Sequence, residues 1–572
     1  MKAFTALFVQ LDSSTSTAAK VDALKRYFAA AATPDAAWAA YFLSGGKPRQ
    51  VVPTGSLRLL ACQRADLPEW LFEESYQAVG DLAETIAHVL PAPTTRSDLS
   101  LSTWIEQRLL PLRGAEPDEQ ARRVLAYWDE LDAPERFILT KLIGGGFRVG
   151  VSKLLVQRAL AEMSGVDAKV VAQRMMGYTD KATAPSPENY LRLISTGAIT
   201  AADSGQPYPF FLAHPVEGSA ADFQSTLGPV GNWLVEWKYD GIRAQVVRRH
   251  GGVWIWSRGE ELVTDRFPEV ASAMQALPDG VVLDGEILVW KDDAPAPFAL
   301  LQQRIGRKTL TKKILLEVPV VFIAYDLLEQ HGVDVREQPQ AQRRSALEGL
   351  AAAALGAAYG LRLSPLQLRA SWAELATLRE EARARGVEGF MLKHADARYG
   401  QGRTKRDGTW WKWKTDPLTV DAVLIYAQAG HGRRASVYTD YTFAVWSRAP
   451  VDAAEAQAVI DAIAARRPAV PGALQLVAFA KAYSGLTDEE FKGVDRVIRA
   501  TTLEKFGPVR SVKPSMVFEL GFEGINRSPR HKSGIAVRFP RMLRIRSDKP
   551  IHEADTLASL EAFFELAITV LS

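Results

Sequence analysis

The sequence predicts a multidomain protein with an all-α N-terminal part, an α+β middle part and a small C-terminal β-barrel. At 572 residues, the chain exceeds what one hydrophobic core usually serves, so two to four domains are expected. A Gly- and Pro-rich stretch at 204–218 separates helical from strand-like texture and marks a boundary. We therefore place the domains at 1–203, 204–416 and 417–572.

The first domain is predicted to be helical. Alanine-rich runs such as 16–32 carry apolar side chains, including Val21, Leu24 and Phe28, at the spacing of one helix face. Alternation typical of strands is scarce before residue 200, which is why we expect no sheet there.

One glycine-rich segment, LIGGGFRVGVSK at 142–153, interrupts these helices. Its three glycines end the preceding helix, and Ser152 is a candidate N-cap for the next one. Free amides at such a helix start can hold a phosphate, and Arg148 and Lys153 would add positive charge. A plain corner between two helices is the alternative interpretation.

Short apolar or alternating runs predict the strands of the two later domains. In the middle domain they are 233–237, 253–257, 281–290, 318–328, 389–393 and 410–414, with helices at 267–277 and 341–358. In the last domain they are 420–427, 435–437, 442–446, 516–522, 534–538 and 542–545, with a closing helix at 557–571. Short strands of this kind favour a small barrel for the last domain.

Composition excludes several classes of protein. Hydrophobic residues make up 47% and charged residues 24%, which is ordinary for a globular protein and argues against a disordered chain. The single cysteine, Cys62, excludes an intramolecular disulfide and favours a reducing compartment. The 8 histidines are scattered without metal-ligand spacing, so a zinc site is not expected.

The N-terminus and the hydropathy pattern predict a cytoplasmic protein. The first apolar run is short, is interrupted by Gln10 and Asp12, and is followed by no cleavage site for a signal peptide. No stretch reaches the ~20 uninterrupted apolar residues that a membrane helix needs. A monomer is the default expectation, since no coiled-coil pattern is visible.

Charge is concentrated near the C-terminus. The net charge is only +3, but residues 501–550 contain 11 Lys and Arg against 4 Asp and Glu. Such a segment is a candidate surface for nucleic acid or polyphosphate. A solvated basic face is the alternative.

The middle domain contains the sequence EWKYDGIR, from Glu236 to Arg243. An apolar strand brings Lys238 to its end, and the turn at Asp240 and Gly241 then exposes it. A lysine in this position can act as a nucleophile if burial or a neighbouring cation keeps its amine neutral.

The spacing K-x-D-G-x-R resembles the first motif of the covalent nucleotidyltransferases, which comprise ATP-dependent DNA ligases, RNA ligases and mRNA capping enzymes. Further matches to this superfamily follow in its order: 257–259, 282–287, 322–327, 387–393, Arg406 with 410–414, and 546–549. Strand alternation puts Asp284 and Glu286 on one face, and likewise Lys412 and Lys414.

The resemblance implies a role for each matching residue. Lys238 would carry AMP, Glu236 and Phe322 would hold adenine, and Glu286 and Glu388 would coordinate Mg²⁺, for which Mn²⁺ can substitute. The remaining nucleotide-binding residues would contact ribose and phosphates: Arg243, Arg258, Arg406, Lys412, Lys414, Arg546 and Lys549. The last two would orient pyrophosphate in the first step, which implies a hinge near 415–418.

The flanks resemble the bacterial ATP-dependent DNA ligases with three domains. By this resemblance, 1–203 is a DNA-binding domain with Arg148, Ser152 and Lys153 at phosphates, 204–416 an adenylation domain, and 417–572 an OB-fold domain. The implied activity is ATP-dependent sealing of nicks in duplex DNA through lysyl-AMP, in replication, repair or recombination. The protein would associate with the nucleoid when bound to DNA.

Two other functions remain open at this point. The shared motifs do not by themselves exclude an RNA ligase or a capping enzyme, which would react with RNA or with GTP. A catalytically silent DNA-binding or scaffold protein is the second alternative, although such a protein would be expected to lose Lys238 or the motif carboxylates, and all are present.

Overall fold

The computed structural model describes residues 1–568 apart from short gaps. The gaps are 47–49, 146, 148, 181–183, 197–204, 306, 308–309, 355–359, 405–409, 431–436 and 530. The chain forms two compact units. The first unit comprises Met1–Val51, Ser97–Ala115 and Lys141–Thr415, and the second comprises Val52–Arg96, Glu116–Thr140 and Asp416–Ser572.

The N-terminal part is helical, as predicted. Its helices are α1 Lys2–Ser13, α2 Thr17–Ala30, α3 Thr33–Leu43, α4 Thr54–Ala65, α5 Glu69–Val79, α6 Leu82–Val89, α7 Leu101–Thr103, α8 Pro117–Asp129, α9 Ala133–Gly144, α10 Lys153–Ser164, α11 Ala168–Arg174 and α12 Pro187–Ile194. In α2 the predicted apolar face is buried, and the Ser16 hydroxyl caps its first turn. No helix in the described part of the chain is long and apolar enough to cross a membrane.

The rest of the first unit contains two sheets. The strands are β1 His214–Pro215, β2 Trp233–Tyr239, β3 Ile242–Arg249, β4 Gly252–Ser257, β5 Val281–Lys291, β6 Ala294–Pro295, β7 Val320–Gln330, β8 Val333–Asp334, β9 Leu361–Leu363, β10 Val387–His394 and β11 Trp410–Lys414. The helices are α13 Phe223–Thr226, α14 Pro268–Met274, α15 Phe298–Ile305, α16 Lys312–Glu317, α17 Gln340–Ala354 and α18 Trp372–Glu380. The smaller sheet has the order β1-β11-β10-β2, and the larger one runs β4-β3-β5-β7-β8, with β6 beside β5 and β9 beside β7.

Each sheet has one apolar face. One face of the larger sheet, including Leu283, Ile287 and Phe322, packs with Val270 of α14 and Leu347 of α17. In the smaller sheet an apolar cluster forms on the other side from the lysines, around the side chains of Trp237, Phe390 and Trp413. The other face of the larger sheet is mixed, because Leu288, Val321 and Ile323 join the apolar cluster of the smaller sheet, whereas Asp284 and Glu286 leave a polar patch in the middle of β5.

The C-terminal part is β-rich, as predicted. It contains β12 Leu418–Ala429, β13 Tyr438–Trp446, β14 Leu476–Ala482, β15 Thr502–Phe506, β16 Val509–Val512, β17 Val517–Phe522, β18 Gly524–Arg527, β19 Ile535–Arg538, β20 Arg541–Ile545, and helices α19 Ala453–Ala464, α20 Asp488–Thr501 and α21 Leu557–Ile568. The long strand β12 pairs with β13 on one side, and on the other with β17 along its first half and β16 along its second. Two apolar clusters fill this part of the second unit, a larger one around Phe443 and Phe518 and a smaller one around Trp446.

Most predicted elements agree with the structure, and the differences are local. Several strands were not predicted, among them β14, β15, β16 and β18. The strand β3 was also not predicted, because its apolar residues are interrupted by arginines and a glutamine. The predicted helix at 267–277 is shorter, Pro268–Met274, and the end of the helix predicted at 341–358 lies outside the described residues. Residues 435 and 436 of the strand predicted at 435–437 are also outside them, and β13 begins at Tyr438.

Candidate active site

The end of β2 presents Lys238 on the polar face of the smaller sheet. Alternation along β2 places Val235, Trp237 and Tyr239 in the apolar cluster, so that Glu236 and Lys238 point to the opposite side. After Lys238 the chain turns at Asp240 and Gly241 into β3. The predicted location of this lysine at a strand end is confirmed.

The neighbouring strands add three more lysines to this face. In the antiparallel ladders Met391 pairs with Glu236 on one side and with Lys412 on the other, so Lys393 and Lys414 share their face. Trp413 is 5% exposed and belongs to the apolar side. The prediction that Lys412 and Lys414 lie on one face, opposite Trp413, is thus confirmed.

Glu388 joins the lysines because β10 is irregular at this point. Regular alternation would place Glu388 beside Phe390 on the apolar side, but the register shifts by one residue between Val387 and Phe390. The carboxylate instead accepts a hydrogen bond from Lys238 Nζ and lies 3.3 Å from Lys414 Nζ. This bulge is what brings the candidate nucleophile and a candidate metal ligand into contact.

The Gly389→Ala variant is expected to lose both stability and activity. Gly389 has φ of +118°, and an ideal Cβ there would lie 2.3 Å from the carbonyl oxygen of Trp413, so the bulge must rearrange. We expect a loss of about 2–4 kcal/mol in the free energy of unfolding, measured by urea denaturation. Gly349→Ala in α17, where nothing lies within 4 Å of the added Cβ, is the matched control and should be neutral or slightly stabilising.

The larger sheet contributes a buried ion pair to the site. Arg243 on β3 donates from Nε and Nη2 to the two oxygens of Asp284 on β5, at 3.1 and 2.7 Å. The Tyr399 hydroxyl donates to Asp284 at 2.6 Å, and Asp284 is completely buried. Arg243 also donates to the Phe211 carbonyl at 2.6 Å. Its guanidinium group is therefore largely committed to protein acceptors.

Glu286 lies on the same face as Asp284, as strand alternation predicts, and pairs with Arg243 across the ladder. Burial raises its pKa to about 8, even though Lys238 and Arg243 favour the charged form. The turn packs closely here, because a Cβ on Gly241 would lie 2.9 Å from Glu286 Cγ. Glu286 and Lys238 therefore belong to one site, in which the two sheets meet.

The donor set fits a magnesium ion. Glu286 and Glu388 supply carboxylate oxygens, which hard cations prefer, and a cation would offset the cost of ionising the buried Glu286. Among the described residues no group of three or more His, Cys, Asp or Glu is arranged to hold a metal on its own. Mg²⁺ commonly takes one or two carboxylates and completes its shell with phosphate oxygens and water.

Phe322 does not belong to this site, which corrects the prediction that it stacks on a base. Its ring is fully buried in the apolar face of the larger sheet, against Gly285. The aromatic side chain of this segment that reaches the site is Tyr325, the extra residue where the register of β7 shifts against Asp284 and Gly285. The Tyr325 ring lies 4.2 Å from Lys393 Nζ and is partly exposed.

Glu236 is enclosed by two cations. Its Oε1 accepts a hydrogen bond from Arg344 Nη1 at 2.8 Å, and its Oε2 lies 2.5 Å from Lys393 Nζ. Lys393 also donates to the Tyr325 carbonyl at 3.1 Å, which links the smaller sheet to the larger one. The carboxylate is thus held rigidly beside the partly exposed aromatic ring.

The other predicted nucleotide-binding residues are placed differently. Arg258 is exposed just after β4, and its amide donates to the Arg243 carbonyl at 2.9 Å. Arg406 lies outside the described residues. Arg546 and Lys549 belong to the second unit, where both pair with Asp421 at 2.8 and 2.7 Å.

The residues of the glycine-rich segment that were predicted to contact phosphates differ in their surroundings. Ser152 caps α10 by accepting from the Leu155 amide, as predicted, and is exposed. Lys153 does not face solvent: it is 18% exposed, pairs with Glu260 and donates to the Met175 carbonyl at 2.9 Å. A contact between Lys153 and a DNA phosphate would have to replace these partners, and it stays a prediction. Arg148 lies outside the described residues.

Among the described residues of the site, five had no predicted role: Asp284, Tyr325, Arg344, Lys393 and Tyr399. Tyr325 stands inside the matched segment 322–327, and an aromatic followed directly by Asp326 was a signal available in the sequence. Arg344 and Tyr399 reach the site from distant parts of the chain, and no local pattern distinguishes them.

Comparison with known proteins gives consistent matches along the chain. A family model described as "DNA ligase N terminus" matches residues 1–161, and one described as "ATP dependent DNA ligase domain" matches residues 211–414. A "Probable DNA ligase" of Koribacter versatilis is 32% identical over 95% of this chain and 93% of its own length. A "DNA ligase" of Haloferax volcanii is 31% identical over 80% of this chain and 78% of its own. A solved structure titled "Pmar-Lig_PreS3" has the same fold, with a TM-score of 0.59 at 15% identity, over 95% of this chain and 99% of that one.

Proposed function

The chain belongs to the ATP-dependent DNA ligases, and on this premise we propose that Lys238 is the residue that carries AMP. The protein seals nicks in DNA at the expense of ATP. In the first step Lys238 Nζ forms a bond to the α-phosphorus and pyrophosphate leaves. AMP then passes to the 5′-phosphate at the nick, and the 3′-hydroxyl attacks that phosphate and releases AMP.

The observation that carries this proposal is the set of groups around Lys238. Its Nζ is hydrogen-bonded to Glu388, Lys414 lies beside the same carboxylate, and Glu286 faces them from the other sheet. Attack requires a neutral amine, so Lys238 must give up a proton and its pairing with Glu388 before the N–P bond forms. Preorganised positive charge beside the nucleophile stabilises the developing charge on the phosphate.

Mg²⁺ held by Glu286 and Glu388 would supply further positive charge to the phosphates. Lys412 and Lys414 would contact the α-phosphate, with Arg406 and Arg258 at the other phosphates. Arg546 and Lys549 would orient pyrophosphate. Their present partner, Asp421, would then be exchanged for phosphate oxygens.

We assign adenine to Glu236 and Tyr325. A partly exposed aromatic ring can stack on a base, and an ionised carboxylate accepts hydrogen bonds, as from the amino group of adenine. Arg243 is mainly a positioning residue, since two of its N–H groups donate to Asp284. Its remaining hydrogen-bond donors would contact the ribose.

Three domains follow from the same proposal: DNA-binding at 1–203, adenylation at 204–416 and an OB-fold at 417–572. The family matches at 1–161 and 211–414 lie within the first two. The long strand β12, shared between β13, β16 and β17, supports a small barrel in the third. We further propose a monomer, because one chain supplies every proposed catalytic group.

Affinity for nicked duplex DNA is expected to fall steeply with salt. The segment 501–550 carries exposed cations such as Lys505, Lys513 and Lys532, which would contact phosphates without reading bases. Replacing all three with alanine should weaken binding equally for unrelated sequences and reduce the slope of log K against log salt by about one per lost contact. Fluorescence anisotropy from 50 to 300 mM KCl measures this. Arg467→Ala, at an exposed site outside the segment, is the control, and an unchanged slope in the triple variant would contradict the prediction.

The proposed activity is tested by covalent labelling. The protein is treated with pyrophosphate to remove any AMP already bound, and is then incubated with Mg²⁺ and α-labelled ATP or GTP. We expect label from ATP alone that survives denaturation and is discharged by nicked duplex DNA. Label from GTP would indicate a capping enzyme, discharge by nicked RNA alone would indicate an RNA ligase, and no label would favour a scaffold protein.

A further inference from the structure

Arg344 is a buried arginine that no sequence motif distinguishes. It lies in the first turns of α17, and its side chain is 6% exposed. Its Nη1 donates to Glu236 Oε1 at 2.8 Å, and its Nε donates to Glu348 Oε1, four residues along the same helix, at 2.7 Å. The guanidinium group is thus hydrogen-bonded to its own helix at one edge and to the Glu236 carboxylate on β2 at the other.

The carboxylate it holds has no freedom of orientation. Arg344 takes Oε1 while Lys393, which is 1% exposed, takes Oε2, so the two oxygens are fixed from two directions. Each carboxylate oxygen can accept two hydrogen bonds, and each therefore keeps capacity for a ligand. A carboxylate whose plane is fixed can favour a donor that approaches from one direction.

A carboxylate held in this orientation can distinguish one purine base from another. At position 6 adenine carries an amino group, which donates, whereas guanine carries a carbonyl, which a carboxylate repels. A site built around a fixed acceptor rejects a base that lacks the donor, because a buried polar group is then left unpaired.

We propose that Arg344 is a positioning residue for nucleotide specificity: it fixes the Glu236 carboxylate so that the site prefers adenine over other purines. This inference rests on the proposed contact between Glu236 and adenine. It assigns the discrimination between purines to a helix residue 108 positions after Glu236, rather than to the K-x-D-G-x-R segment alone.

The neighbouring Arg343 provides a matched comparison. It lies on the same turn of α17, is completely buried, and holds Asp326 bidentately at 2.9 and 3.0 Å without contacting Glu236. A substitution there disturbs a buried ion pair of the same kind and the same helix. It should therefore reproduce any merely structural effect of changing Arg344.

The test measures kcat/KM for self-adenylation, as pyrophosphate release without DNA, for ATP and for purine riboside triphosphate, which lacks the 6-amino group. The unchanged protein should prefer ATP by about 10- to 100-fold. In Arg344→Gln the value for ATP should fall about tenfold while that for the analogue changes less than about twofold. Arg344→Lys, which keeps the charge but cannot bridge Glu348 and Glu236, should be intermediate. Arg343→Lys should keep the full preference for ATP.

The outcomes distinguish a failure of the role of Arg344 from a failure of the proposed contact between Glu236 and adenine. If Arg344→Gln lowers kcat/KM equally for both nucleotides, or for neither, Arg344 has no role in specificity. Should that variant not fold, Arg344→Lys is judged by the same criterion. Glu236→Gln serves as the reference. If it keeps the preference for ATP, the proposed contact between Glu236 and adenine is wrong. If it loses the preference while both Arg344 variants keep it, only the role of Arg344 is refuted.

Discussion

The Lys238→Ala variant is expected to form no protein–AMP adduct and to seal ordinary nicks at least about a thousandfold more slowly than the unchanged protein. The amine supplies the atom that receives AMP, and neither Lys412 nor Lys414 can replace it, because both emerge from a different strand. Removing the ammonium group also takes one cation from Glu388, which still lies 3.3 Å from Lys414 Nζ. Adduct formation from labelled ATP and the rate of nick sealing both report the loss.

A substrate that already carries AMP distinguishes a lost nucleophile from a damaged site. On a nick with AMP on its 5′-phosphate, Lys238→Ala should seal within about tenfold of the unchanged protein, because the lysine has no nucleophilic part in that step. Lys291→Ala, at the end of β5, is the control for removal of a lysine from the same unit. An adduct in the Lys238→Ala variant would refute the assignment.

Asp284→Asn is expected to destabilise the protein by about 3–5 kcal/mol, because it leaves the Arg243 guanidinium buried without a counter-charge. Asp284 is 0% exposed and accepts from Arg243 and Tyr399, so an amide of the same shape can satisfy only part of this arrangement. Urea denaturation followed by circular dichroism measures the change. Activity should fall as well, since Arg243 approaches the Tyr325 ring that is proposed to hold the base.

An exposed ion pair in the same unit provides the control for the Asp284→Asn variant. Asp293 lies 3.5 Å from Arg362 and is 93% exposed, so Asp293→Asn should change the free energy of unfolding by less than about 1 kcal/mol. If Asp284→Asn were equally mild, the pair with Arg243 would contribute little to stability. The site would then owe its rigidity to the apolar faces of the two sheets.

Much of the site was predictable because strands alternate strictly. The period of two residues is enough to place Asp284 with Glu286 and Lys412 with Lys414 from the sequence alone. The helical character of 1–203 followed in the same way from the spacing of apolar residues. Patterns that repeat within one element are therefore visible in the sequence.

The remaining features depend on contacts between distant residues or on irregular backbone. The choice between Phe322 and Tyr325 depends on one extra residue in β7, which alternation alone does not reveal. The pairing of Lys153 with Glu260 joins positions 107 residues apart, and its effect is to withdraw a basic side chain from solvent. No local pattern reports either fact.

The bulge at Glu388 and Gly389 also limits how this gene segment can change. Substitutions in β10 alter one side chain at a time, whereas losing one codon from the regular stretch after the bulge would move every later residue of the strand to the opposite side of the sheet. Lys393 would then turn from the lysine-bearing face to the apolar interior. A mutational library of this strand should therefore tolerate many replacements, and a one-residue deletion keeps the later register only at the bulge itself.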